Sequence, residues 1–146
     1  MAAEKIQHQE RSIDAFDHLV HKTASIRKTK SGQPSRVEIG PTGTAKILFA
    51  IRPHALIPWD SPIRQKHRLD GSADSYRTFL AIVKDHLTEL NHECEKHGLN
   101  LFDLPDVLKR KGSTLVKMVD EFFWVTITRN CQSPNIEQLK QWVDWL

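Results

Sequence analysis

The stretch ADSYRTFLAIVKDHLTELNHECEKH, residues 73–97, decides the fold class because it carries the longest helical pattern of the sequence. Its apolar residues return at steps of three and four along the chain: Tyr76, Phe79, Leu80, Val83, Leu87 and Leu90. Such a stripe is typical of an amphipathic helix that packs on a core. Gly98 follows where a helix commonly ends, so the pattern predicts a helix over 73–97.

Shorter stretches on both sides of this helix show the same spacing. They predict one or two helices over 3–26, and further helices over 63–69, 103–112, from Ser113 onward, and from Pro134 to the end. Residues 44–51 fit a helix or a strand, and Ala45 and Lys46 favour the helix. The expected N-terminal caps are Thr42 or Thr44 for the helix over 44–51, Ser61 for the helix over 63–69, and Ser113 for the helix that begins there. Residues 26–36 form a predicted loop, and 125–128 a frayed helix end or a short strand. The sum is an all-α fold, one domain over 1–146 with about seven helices.

Composition limits the classes of partner and cofactor. The net charge is +3 and the pI about 9.0, which permits an anionic partner without requiring one. Cys94 and Cys131 match no zinc or iron–sulfur spacing, so we expect free thiols and a cytoplasmic setting.

His86, His92 and His97 do not share one helix face, so we predict neither a metal nor a cofactor. The apolar runs are too short to span a membrane.

Asp60 is the first candidate for chemistry. It ends the apolar run of ALIPWDSPIRQKHRL, residues 55–69. A carboxylate that leaves an apolar segment can serve as a general base or stabilise developing positive charge. The alternative is that Asp60 caps the following helix, a common use of Asp. Both interpretations stay open, since a capping carboxylate can also face a cleft.

A turn and two basic clusters are the candidates for phosphate binding. The predicted turn over Gly40–Gly43 leads into the N-terminus of a helix, where free backbone N–H groups can bind an anion such as a phosphate. Basic residues follow Asp60 and also occupy the preceding loop: Arg64, Lys66, His67 and Arg68, with Lys28, Lys30 and Arg36. Several such charges on one face would bind a nucleic-acid backbone. The alternatives are an ordinary turn and solvated helix faces.

The order and spacing of these residues resemble a known family. The run Gly40-Pro41-Thr42-Gly43-Thr44-Ala45 precedes an apolar helix, and Asp60 follows Thr44 by 60 − 44 = 16 residues, in the context Trp59-Asp60-Ser61-Pro62-Ile63-Arg64. Over about residues 37–70, this arrangement resembles the helix-hairpin-helix DNA glycosylase superfamily, of which endonuclease III is a member. The resemblance implies a helix-hairpin-helix-like motif within the helical domain.

The resemblance also implies roles for single residues. Members of that family flip a base out of the duplex and cleave its N-glycosidic bond during DNA repair. Asp60 would be the essential carboxylate of this hydrolase, stabilising the oxocarbenium-like sugar or activating water. The residues expected to bind DNA are Gly40, Gly43, Thr44, Lys46, Arg64, Lys66 and Arg68.

Two further classes of function stay open beside the glycosylase-like enzyme. The first is a non-catalytic helical module that binds nucleic acid through its turn and basic residues. The second is an interaction protein that forms a homodimer through the aromatic C-terminal helix bearing Trp142 and Trp145.

Overall fold

The computed structural model describes residues 2–133, 135 and 137, with side chains from Glu10 onward. The structure is 60% helical and 9% strand, which agrees with a mainly helical class. The predicted C-terminal helix, with Trp142 and Trp145, lies outside the described residues.

Six α-helices, two strands, a 3₁₀-helix and a π-helix make up the described chain. In order they are α1 Ala2–Val20, β1 Thr23–Lys28, β2 Pro34–Glu38, α2 Gly40–Ile51, α3 Ser61–Lys66, α4 Ala73–Lys96, the 3₁₀-helix Leu101–Asp103, α5 Leu104–Val107, α6 Leu115–Phe123 and the π-helix Trp124–Thr128. The long helix predicted over 73–97 is confirmed as α4, which ends at Lys96.

The β-hairpin corrects two predictions. The helix predicted over 3–26 ends at Val20, and the loop predicted over 26–36 is largely two antiparallel strands. Thr23 and Ile26 are β-branched and pair with Glu38 and Arg36. The strands are almost wholly exposed, so they lack the alternation of apolar and polar residues that would have revealed them.

The caps predicted for three helices are also wrong, two of them by one residue. Helix α2 has no side-chain cap, and Thr44 is buried in the core instead. Asp60 rather than Ser61 caps α3, and Thr114 rather than Ser113 caps α6. The β-prone residues 125–128 continue α6 as the π-helix, so neither predicted alternative holds in full.

The core is one cluster built around an aromatic group. Phe16 of α1 stacks on Tyr76 of α4 with ring centroids 4.5 Å apart, and Trp59 lies 5.2 Å from Tyr76 and 5.4 Å from Phe79. Aliphatic residues of α1, α2, α3 and α6 complete the cluster. Burial of such aromatic side chains dominates the stability of a core.

The segment Ile57–Trp59, which lies between α2 and α3, is buried in this core. The Tyr76 hydroxyl donates to the Ile57 carbonyl oxygen at 3.0 Å, and Trp59 Nε1 donates to the Pro41 carbonyl oxygen at 3.1 Å. These bonds satisfy polar groups that would otherwise be costly to bury. They also fix the chain immediately before Asp60.

His67, the residue that follows α3, lies against the core aromatics. Its ring is 5.9 Å from Phe79 and 5.6 Å from Phe123. Burial lowers the pKa of His67 below its ordinary value of 6.5, and the positive charges of His86 and Lys66 lower it further. The folded protein therefore favours neutral His67.

We expect His67 to make the protein less stable in mild acid. Above the ordinary pKa of 6.5, the folded and the unfolded chain both hold it neutral, and the full stability is present. As the pH falls below that value, the unfolded chain takes up a proton first and stability is lost. Urea unfolding at several pH values measures this loss, and His67→Gln should reduce it. The exposed His92→Gln is the control; equal pH dependence in His67→Gln and the wild type would contradict the assignment.

Candidate functional site

Asp60 is held by two elements of the fold. Its Oδ1 accepts a hydrogen bond from the Ile63 backbone N–H at 3.0 Å, which caps α3. Its Oδ2 accepts a hydrogen bond from the Thr128 hydroxyl of the π-helix at 2.7 Å. The capping role proposed from the sequence is therefore present, and the carboxylate is fixed in position.

Asp60 also lines a cavity of about 380 Å³. The cavity is lined by Lys46, Phe49, Pro58, Trp59, Asp60, Ile63, Lys117, Asp120, Glu121 and Trp124. These residues come from α2, the segment before α3, α3 itself, α6 and the start of the π-helix. Five of these ten side chains are aromatic or aliphatic and five are charged, so the cavity combines an apolar wall with a cluster of charged groups.

Two of the three carboxylates in the cavity are paired with cations. Lys117 Nζ lies 2.7 Å from Asp120 Oδ2, and Arg110 Nη1 lies 2.6 Å from Glu121 Oε2. Arg110, aided by Lys117, lowers the pKa of Glu121 below its ordinary value. Within the described chain, Asp60 and Lys46 take part in no ion pair. The cavity therefore offers one carboxylate and one ammonium group whose charges no ion pair balances.

The three basic residues after Asp60 have different surroundings. Arg64 is half-buried, donates from Nη2 to the Ser61 hydroxyl at 3.0 Å, and lies over the Trp59 ring at 5.7 Å. Lys66 and Arg68 are exposed and do not line the Asp60 cavity. Arg64 therefore supports the wall of the cavity, whereas Lys66 and Arg68 remain at the surface.

The predicted glycine turn lies beside the cavity but does not line it. Gly40 and Gly43 occupy the first turn of α2, where Pro41 accepts the hydrogen bond from Trp59. Thr44 is fully buried, so its side chain is not available to a nucleic acid at the surface. Lys46, one turn further along α2, does line the cavity. Strand β2 precedes the turn, so the local order is strand, turn and helix rather than helix, hairpin and helix.

Sequence reasoning missed the contribution of α6 and the π-helix. Lys117, Asp120 and Glu121 are spaced at i, i+3 and i+4, which places them on one helix face. That spacing was a usable signal for a charged cluster. Thr128 and Asp60 are 68 residues apart in the sequence, so no local sequence pattern predicts their contact.

The β-hairpin concentrates the positive charge of the chain. Residues 22–38 contain five basic residues and one acidic residue, a net charge of 5 − 1 = +4: Lys22, Arg27, Lys28, Lys30 and Arg36 against Glu38. The whole chain carries +3, so the remainder carries 3 − 4 = −1. All six of these side chains are exposed. The hairpin is therefore a basic ribbon that projects from a nearly neutral body.

Neither a metal centre nor a membrane span is found in residues 2–133, 135 and 137. No group of three or more His, Cys, Asp or Glu residues in this part of the chain could hold a metal ion. Its helices are all too short or too polar to cross a membrane.

Comparison with known proteins found no match to a protein-family model, a curated protein or a solved structure.

We expect Asp60→Ala to lower the free energy of unfolding by about 1–2 kcal/mol, because α3 loses its cap. Asp60→Asn should stay within about 0.5 kcal/mol of the wild type, since Asn caps helices as well as Asp. Urea unfolding at neutral pH measures both changes. Equal stability of the Ala and Asn variants would contradict the capping role, and a folded Asn variant is the control for tests of function.

Proposed function

We propose that this protein binds DNA and hydrolyses an N-glycosidic bond in its Asp60 cavity. The observation that carries the proposal is that the Asp60 carboxylate and the Lys46 ammonium group line the same cavity. Both line one aromatic-walled cavity, and within the described residues neither takes part in an ion pair. The order and spacing of residues 40–64, which resemble the glycosylase superfamily, add support from the sequence, although a strand stands before the turn where that family has a helix.

The basic hairpin is the proposed contact with the nucleic-acid backbone. A two-stranded β-ribbon fits the major groove of B-form DNA, and Lys and Arg neutralise its phosphates. The backbone N–H of Ile39 donates to the Lys22 carbonyl oxygen at 2.8 Å, which closes the base of the hairpin beside α2. A duplex held by the ribbon would therefore lie near the start of α2 and near Trp59.

The cavity suits a base taken out of the helix stack. Trp124 and Phe49 offer aromatic rings at its wall, and bases stack readily on such rings. Trp124 is 47% exposed, so its ring is accessible from solvent. Lys46 would contact a phosphate next to the extruded nucleotide.

Asp60 is suited to stabilising positive charge on the sugar. In the proposed reaction the bond between C1′ and the base nitrogen breaks, and the base leaves with the bonding electrons. The carboxylate stabilises the oxocarbenium-like sugar, water adds its oxygen to C1′, and the released proton passes to the departing base. The hydrogen bonds from Ile63 and Thr128 hold the carboxylate in place before the reaction begins.

A non-catalytic DNA-binding module is the second candidate, and one observation favours it. Both Asp60 oxygens accept hydrogen bonds that stabilise the fold. A residue needed for structure in this way does not have to act on a substrate. This candidate requires binding through the hairpin and no release of a base.

DNA binding should weaken steeply with salt, and the hairpin should account for part of that dependence. Each phosphate contact contributes about −0.9 to the slope of log K against log salt concentration. We expect the double variant Lys28→Gln and Lys30→Gln to make this slope less steep by the contribution of about two phosphate contacts. A gel-shift titration measures this change, and Lys84→Gln with Lys109→Gln is the matched control. Absence of binding at low salt would eliminate both DNA-binding candidates.

Catalysis should depend on the Asp60 carboxylate. Against a panel of duplexes with damaged or mismatched bases, the wild type should release a base, and Asp60→Asn should reduce the rate on the order of 10²-fold. Base release is measured by strand cleavage with alkali at the abasic product. The exposed Asp85→Asn should keep the wild-type rate.

The two candidates are separated by the same assay. DNA binding without base release from any duplex would favour the non-catalytic module. Base release that Asp60→Asn leaves unchanged would exclude Asp60 from the reaction.

A further inference from the structure

A second cavity, of about 330 Å³, lies on a different part of the surface from the Asp60 site and has an almost wholly apolar lining. We name it the α6 groove. Helix α4 contributes Leu90, the α5 region contributes Leu104 and Leu108, and α6 contributes Leu115, Met118 and Phe122. Leu108 is 50% exposed and Phe122 is 55% exposed. A contiguous apolar surface of this kind commonly marks a contact with another segment or protein.

The end of the chain carries a pattern that complements this groove. Residues 138–146, QLKQWVDWL, have apolar residues at i, i+3, i+4 and i+7: Leu139, Trp142, Val143 and Leu146. This spacing is typical of a helix that lays one apolar face into a groove. The stripe spans 146 − 139 = 7 residues, about 10.5 Å of helix. The groove follows α6 from Leu115 to Phe122, which is also 122 − 115 = 7 residues.

The segment begins within reach of the groove. The backbone N–H of Cys131 donates to the Val125 carbonyl oxygen at 3.0 Å, and Val125 lies one turn beyond Phe122. From Cys131 to Leu139 there are 139 − 131 = 8 residues, which span up to roughly 26 Å when extended. That length exceeds the helical distance from Phe122 to Leu115, about 10.5 Å.

We propose that residues 138–146 dock as a helix in the α6 groove of their own chain. A short tether gives the segment an effective concentration in the millimolar range, which favours the chain's own groove over a second copy. A stable dimer buries roughly 800 Å² on each partner. A groove that matches a single two-turn stripe is small for that purpose. The docked segment would cover the side chains of Leu108, Met118 and Phe122.

Met118 gives a direct probe of the docking in the full-length protein. The chain has two methionines, Met1 and Met118, so a sample labelled at the methionine methyl carbons gives one signal from the groove and one reference. We expect ring currents from Trp142 to shift the Met118 signal. Val143→Asp should remove this shift, whereas Gln141→Asp, on the opposite face of the predicted helix, should preserve it.

Trypsin cleavage after Lys140 tests the groove side of the contact. Proteolysis follows the population of the open state, so we expect Leu108→Asp to accelerate release of residues 141–146 by about tenfold. Val107→Asp is the matched control, because Val107 is 52% exposed and does not line the groove. Circular dichroism of both variants tests whether the fold is intact.

Several outcomes would overturn the proposal. One is a Met118 signal that Val143→Asp leaves in place, and another is equal cleavage rates in the Leu108 and Val107 variants. A Met118 shift that disappears on dilution, together with a dimer in sedimentation, would assign the groove to a second copy. DNA binding and base release are measured separately, so their failure would leave this proposal unaffected.

Discussion

The fold depends on how Trp59 is held in the core. Its indole is 1% exposed, lies within 6 Å of the rings of Phe16, Tyr76 and Phe79, and donates to the Pro41 carbonyl oxygen. One side chain thereby connects α1, α2 and α4. Because Asp60 is the next residue, the same interaction determines where the carboxylate emerges from the core. The geometry of the candidate site is therefore a consequence of core packing.

Thr128 adds a constraint from the other end of the chain. Its hydroxyl reaches Asp60 from the π-helix, and the widened turn of that helix follows directly on α6. π-helical turns are rare and frequently occur at functional sites. Here the turn brings Thr128 to the carboxylate, while Trp124 contributes to the cavity wall. Asp60 thus couples the start of α3 to the end of α6.

The sequence was most informative where a pattern was long. The stripe of α4 predicted its bounds closely, and the capping role that was the alternative for Asp60 is present. The hairpin was missed because neither strand buries a face, so no alternation marks it. Thr44 was expected to cap a helix, and the family resemblance assigned it to DNA binding, whereas here its side chain is buried in the core. Lys117 and Thr128 could not be placed at the site, since their contacts depend on tertiary packing.

The composition of the hairpin is not explained by folding. An isolated two-stranded hairpin is marginally stable, and this one buries no strand face against the body. Its five cations repel one another, and such repulsion disfavours a compact arrangement. Its turn requires Gly32, whose φ of +81° lets the Gly32 N–H donate to the Thr29 carbonyl oxygen. A polyanion would relieve the repulsion by neutralising the cations, so DNA bound along the ribbon would both explain its charge and stabilise its strands.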